Sequence, residues 1–227
     1  MSRASRAASA PQAASIRSPL LTLVVVLTAL GLDGSDLRAC TCVTQPDPLV
    51  AMGRADIVFE GTVTGRNDPR ADNRRVSTGD PIDYAFHVAE TWKGVLNDTI
   101  AVRTARSGAS CGYEFEVGGS YLVYARKDSL RFRTGLCTRT KPLERASADL
   151  GALSSLGIKG EEAVVDRALV DRFATQIATA DSAGRMDAVK ALRRIGKAPE
   201  VAIPTLRSLF DSGSPEERAE AVSAMGS

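Results

Sequence analysis

The chain has 227 residues, enough for one large domain or two small ones. Its formal net charge of +2 is too small to argue for nucleic acid or an anionic surface as partner. Aromatic residues make up 5% of the chain, too few for a platform on which single-stranded bases stack.

The first 39 residues read as a removable leader. Arg3, Arg6 and Arg17 form a basic start, and an apolar run, Leu20 to Leu32, follows. That run is shorter than the ~20 residues of a membrane span but suits a signal-peptide core. The polar stretch Asp33 to Arg38 then leads to Ala39, after which cleavage is expected, with cuts after Gly31 or Gly34 as the alternatives. No later apolar run is long enough to span a membrane, so the mature chain is expected to be exported and free of a span. Its place is then secreted or extracellular, or periplasmic in a Gram-negative source.

Export puts the four cysteines, Cys40, Cys42, Cys111 and Cys137, where disulfides persist. Cys40 and Cys42 are too close to pair with each other comfortably. Each is therefore expected to pair with Cys111 or Cys137, in either order. Both choices close loops of roughly 70 to 100 residues, each worth about 4 kcal/mol in chain entropy.

Residues 40–140 read as β. Ala55–Gly65 alternates with Ile57, Phe59 and Val63 on one face, and Ile82–Val88 with Ile82, Tyr84, Phe86 and Val88. Asp98–Thr104, Ser120–Ala125 and Leu130–Arg133 complete five short strands. Turn residues separate them at Asn67-Asp-Pro69, Gly79-Asp-Pro81, Gly94, Gly118-Gly119 and Lys127-Asp128. This pattern predicts a small closed barrel or sandwich. The basic stretch Arg66–Arg75 reads as a solvated hairpin loop.

From residue 141 the period becomes helical, over Leu143–Leu156 and Glu161–Ile177. Gly184–Gly196 places Ala188, Leu192 and Ile195 on one face. Val201–Phe210 follows, and Ser214–Gly226 then echoes the earlier helix, Asp-Ala-Val-Lys-Ala-Leu against Glu-Ala-Val-Ser-Ala-Met. The echo spans 33 positions, from Ala188 to Ala221. It looks like a HEAT-type repeat, once complete and once begun, which would have to lean on the barrel or on the preceding helices. The expected organisation is a leader at 1–39, a barrel at 40–140, a helical linker at 141–180 and HEAT-like repeats at 181–227.

The start Cys40-Thr-Cys-Val43 resembles the N-terminus of the tissue inhibitors of metalloproteinases, members of the netrin-like family. The likeness continues through Pro46, Pro48 and Ala55-Asp-Ile-Val-Phe59, and returns at Trp92-Lys-Gly94, Cys111-Gly-Tyr113 and Cys137. The spacings agree too, 71 positions from Cys40 to Cys111 and 95 from Cys42 to Cys137. The resemblance implies a five-stranded oligonucleotide/oligosaccharide-binding (OB) barrel. It also implies the pairing Cys40–Cys111 and Cys42–Cys137. In the family, the amine and carbonyl oxygen of the N-terminal cysteine, here Cys40, chelate a protease's catalytic zinc. Thr41 would then enter the specificity pocket, Cys42 and Val43 would extend the wedge, and Gly108, Ala109 and Ser110 would lie beside it. Two departures stand out. The family's third bridge is missing, with Met52 where its first cysteine would be, and the helical segment replaces the family's own C-terminal module.

Other chemistry is sparse. Leu37-Arg-Ala-Cys40 faintly resembles a lipoprotein cleavage site, but Arg38 and the polar Asp33–Asp36 stretch argue against it. The single histidine, His87, lies opposite Tyr84 and Phe86 on its strand and reads as solvated. Neither an intrinsic zinc site nor a Cys–His nucleophile is expected. The chain is therefore expected to be no enzyme and to need no cofactor. Its expected partner is an exported zinc metalloprotease or, if it is a non-inhibitory interaction module, another exported protein.

Overall fold

A computed structural model describes residues 40, 42, 45–72, 75–195 and 202–226. Residues 1–39, expected to be a leader, the candidate site positions Thr41 and Val43, and the stretch 196–201 lie outside the described residues.

Five strands close a barrel. They are β1 (Ile57–Asn67), β2 (Pro81–Lys93), β3 (Thr99–Ala105), β4 (Ser120–Asp128) and β5 (Arg131–Arg133). Their order is β1-β2-β3-β5-β4, and β4 returns to pair with β1. Only β3 and β5 run parallel among these neighbours. A two-residue strand, β6 (Lys141–Pro142), adds to β4 at Tyr121 and Leu122. Register shifts in β1 at Val58/Phe59, Glu60/Gly61 and Val63/Gly65 let that long strand bend around the barrel.

The predicted faces hold. Ile57, Phe59, Val63, Ile82, Tyr84, Phe86 and Val102 fill the barrel interior together with Phe115, Tyr121 and Val123. Phe115 sits at the centre of an aromatic cluster, 5.1 Å from Phe86 and 4.9 Å from Tyr121. Burial, with the neighbouring Tyr121 as a second cause, pushes the Tyr113 hydroxyl up to about 12. Residues 121–125 of β4 are all buried, because their second face is covered as well. Leu122 and Tyr124, with Val58 and Trp92, belong to a second core shared with the helices.

The helices are α1 (Pro48–Arg54), α2 (Ser147–Ser154), α3 (Glu162–Thr179), α4 (Ser182–Ile195), α5 (Ile203–Ser212) and α6 (Pro215–Met225). Helix α1 has its own start signal: the Asp47 side chain accepts from the Leu49 N–H at 2.9 Å, and Pro48 takes the first turn. Helix α6 opens on a capping box in which Ser214 and Glu217 bond each other's backbone N–H groups. The Glu217 carboxylate also accepts from Ser182 and Arg185 of α4. Ala188 and Ala221, the matched positions of the echo, are both buried. The helices lean on α1: a Cβ at Gly53 would meet the Ile195 side chain at 2.6 Å, so only glycine allows α4 so close.

Candidate functional site

The site is built where the chain's first described residues meet two short turns. The first turn is a 3₁₀ helix, Gly108–Ser110, followed by Cys111 in the left-handed region at φ 60°. Cys111 N–H bonds Gly108 O at 3.1 Å, and Gly112 N–H bonds Ser107 O at 2.9 Å. A Cβ at position 112 would lie 2.1 Å from Ala105 O, which accounts for the glycine in Cys111-Gly-Tyr113. The second turn, Leu136–Thr138, holds Cys137 and is tied to the first by a 2.9 Å bond from Leu136 N–H to Cys111 O.

Onto this pair of turns the segment that carries Cys40 and Cys42 is stapled twice. Cys40 bonds Cys111 and Cys42 bonds Cys137, with Cα–Cα distances of 5.2 and 5.4 Å. These are the partners that the resemblance implies. Cys40 is almost fully buried, whereas Cys111 and Cys137 are exposed. The sulfurs of Cys40, Cys111 and Cys137 lie within 4.8 Å of one another. All three are oxidised, so they are not the thiolates that a metal binds.

Beside the staple, Ala109 is exposed at the tip of the first turn, with Gly108 and Ser110 half-buried. The β1–β2 loop supports the turn from behind: the Thr78 and Ser110 hydroxyls lie 2.7 Å apart, and Ser107 N–H reaches Thr78 O. The structure thus brings Cys40, Cys42, Gly108, Ala109, Ser110, Cys111 and Cys137 into one region.

No protein-family model matches the sequence, and no curated protein matches it significantly.

Behind the site lies a buried ionic knot that the sequence reading missed. Asp149 of α2 is 1% exposed. It accepts a two-pronged bond from Arg139, a bond from Lys141 at 2.8 Å and one from the Tyr124 hydroxyl at 3.3 Å. Burial pushes the Asp149 carboxyl up, but the Arg139 and Lys141 bonds outweigh it, and the carboxyl titrates below its usual range. Burial, reinforced by the Asp149 charge, pushes the Tyr124 hydroxyl far up. Arg139 also donates to Pro46 O, so the knot holds the stretch between Cys42 and α1. The only sequence signal was Asp149 on an otherwise apolar stretch of helix.

A second anchor involves Lys93, which is 0% exposed. Its ammonium donates to Met52 O at 3.0 Å and Ala55 O at 2.6 Å, at the end of α1, and to the Asp166 carboxylate of α3. Neighbouring Trp92 is buried, with its indole N–H on Glu60 at 2.9 Å and the Lys159 ammonium 3.8 Å from its ring centre. His87 is exposed on β2. Among the described residues no helix is long and apolar enough to cross a membrane.

Proposed function

We propose that the protein is an exported inhibitor of zinc metalloendopeptidases, acting through its terminal cysteine. The observation that carries this reading is the double staple: Cys40 and Cys42 are both fixed to the barrel, beside the exposed tip of the Gly108–Ser110 turn. The strand order and closure fit an OB barrel, and the stacked α4–α6 helices fit a HEAT-like arrangement.

The physical logic runs from the amine outward. A catalytic zinc keeps one coordination position open for water or substrate. Cleavage after Ala39 leaves a free α-amine on Cys40, whose pKa is about 8, roughly two units below lysine. Shedding that proton near neutral pH costs little, so the amine and the Cys40 carbonyl oxygen can occupy the partner's zinc as a chelate. The staples have already ordered the segment, so little further entropy is lost on binding. Thr41 would enter the specificity pocket, with Cys42 and Val43 along the cleft and Gly108, Ala109 and Ser110 flanking it. On this reading the protein binds and does not catalyse.

N-terminal sequencing and intact mass of the secreted, unreduced protein come first, followed by a panel of zinc endopeptidases. Expected are a start at unmodified Cys40 and inhibition that one alanine added ahead of Cys40 abolishes, through loss of the chelating amine and steric block. A start upstream of Cys40, a lipidated Cys40, or inhibition indifferent to the extra alanine overturns the chelation mechanism. The barrel would then be a netrin-like interaction module for another exported protein.

A further inference from the structure

A pocket of about 290 Å3 opens between the end of α1, β4 and the Cys137 turn. Its walls include Pro46, Ala55 and Cys137, and two arginines, Arg54 and Arg126, line it. Arg194, at the end of α4, stands close enough to Arg54 for their charges to interact. We propose that this pocket binds a small free oxyanion, such as a phosphate, held between Arg54 and Arg126.

The argument is one of missing counter-charge. Elsewhere the arginines near the barrel find carboxylates: Arg103 pairs with Asp83, Arg106 with Asp68 and Arg139 with Asp149. Arg54, Arg126 and Arg194 form no ion pair among the described residues. Arg54 lines the pocket, and among the described residues only its Nε–H has an acceptor, the Arg194 main-chain oxygen at 2.6 Å. Burial and repulsion from Arg126 and Arg194 make the Arg54 proton easier to lose than usual.

Helix ends account for part of this cluster. Arg54 and Arg194 lie in the last turns of α1 and α4, where positive charge meets the carbonyl end of the helix dipole. Arg126 lies on a strand, is exposed and has no such reason to be there. An oxyanion between Arg54 and Arg126 would supply the absent charge and accept the fork of hydrogen bonds that a guanidinium presents. The site does not depend on protease inhibition.

The test uses the full chain with both disulfides intact. Its unfolding midpoint is followed while sodium phosphate is titrated against sodium chloride at matched ionic strength. Expected is a saturable rise in phosphate that chloride does not reproduce. Arg126→Gln should weaken the apparent phosphate affinity about tenfold, the worth of one charge-assisted hydrogen bond, while raising the midpoint in chloride by removing a like charge. Arg126→Glu, which gives Arg54 an internal partner, should abolish the phosphate response. Arg207→Gln, at an exposed position on α5, should leave it intact. Equal responses to phosphate and chloride, or a phosphate response unchanged in Arg126→Gln, would overturn the proposal.

Discussion

Asp149 shows how one side chain can make an active feature of the pH scale. Removing it leaves Arg139 and Lys141 without their shared counter-charge, beside a Tyr124 hydroxyl that loses its acceptor. Breaking a buried pair from one side costs about 3 to 5 kcal/mol, several times an exposed pair. Asp149→Asn should therefore lower the urea midpoint substantially at pH 7. The folded carboxyl titrates below the unfolded one, so its stabilisation is complete above an unfolded pKa of about 4 and fades as pH falls through the folded value. Urea titrations at pH 7 and pH 3 check this: the gap between wild type and Asp149→Asn should narrow at the lower pH. A gap of constant size would mean that the knot contributes shape and no charge.

At the scale of elements, the barrel and the helices meet at the Trp92-Lys93-Gly94 turn. The three ammonium hydrogens of Lys93 meet three acceptors from α1, its trailing residue and α3. Met52, at the place where the resemblance implies a cysteine, is fully buried, and its carbonyl is held by Lys93 instead. Lys93→Met keeps the aliphatic stem but strips the donors, leaving the carbonyls of Met52 and Ala55 without that bond. We expect a loss of about 3 kcal/mol, read as a lowered urea midpoint, with the far-UV spectrum of the folded state unchanged. Loss of helical signal at 222 nm before unfolding would instead mean that Lys93 is needed to form α3 at all. The strands were legible because period-two alternation in β1 and β2 reports directly on an inside and an outside. The cysteine spacing alone left two pairings open, and the one formed was legible only through the family resemblance. Helix α1 was missed although Asp47-Pro48 is a start signal, since a seven-residue helix carries too few turns to show a period. Lys93 and Asp149 were illegible for another reason. A charge is read as solvated until its partner is known, and Asp166 lies 73 positions beyond Lys93.

Across the whole molecule, one apolar core joins Val58, Trp92 and Tyr124 of the barrel to all six helices. Neither part can expose its face of that core without uncovering the other's. Barrel and helices should therefore unfold together, with Trp92 fluorescence and ellipticity at 222 nm giving coincident urea transitions. Two separated transitions would show that the helices hold themselves up. Replacing Cys42 and Cys137 by serine should shift that single transition by about 4 kcal/mol, the chain entropy of the loop the bridge closes. The double staple also bears on how the chain is made. Cys40 and Cys42 leave the ribosome as an isolated neighbouring pair, and at about 5–20 residues per second Cys111 follows only seconds later, with Cys137 later still. Both cysteines thus emerge ahead of the partners that will fix them to the barrel. Until residue 111 has emerged, those two thiols can meet only each other or a foreign thiol, and Cys42 waits longer still for Cys137, so a cell that makes this protein must shelter them or undo their early mistakes.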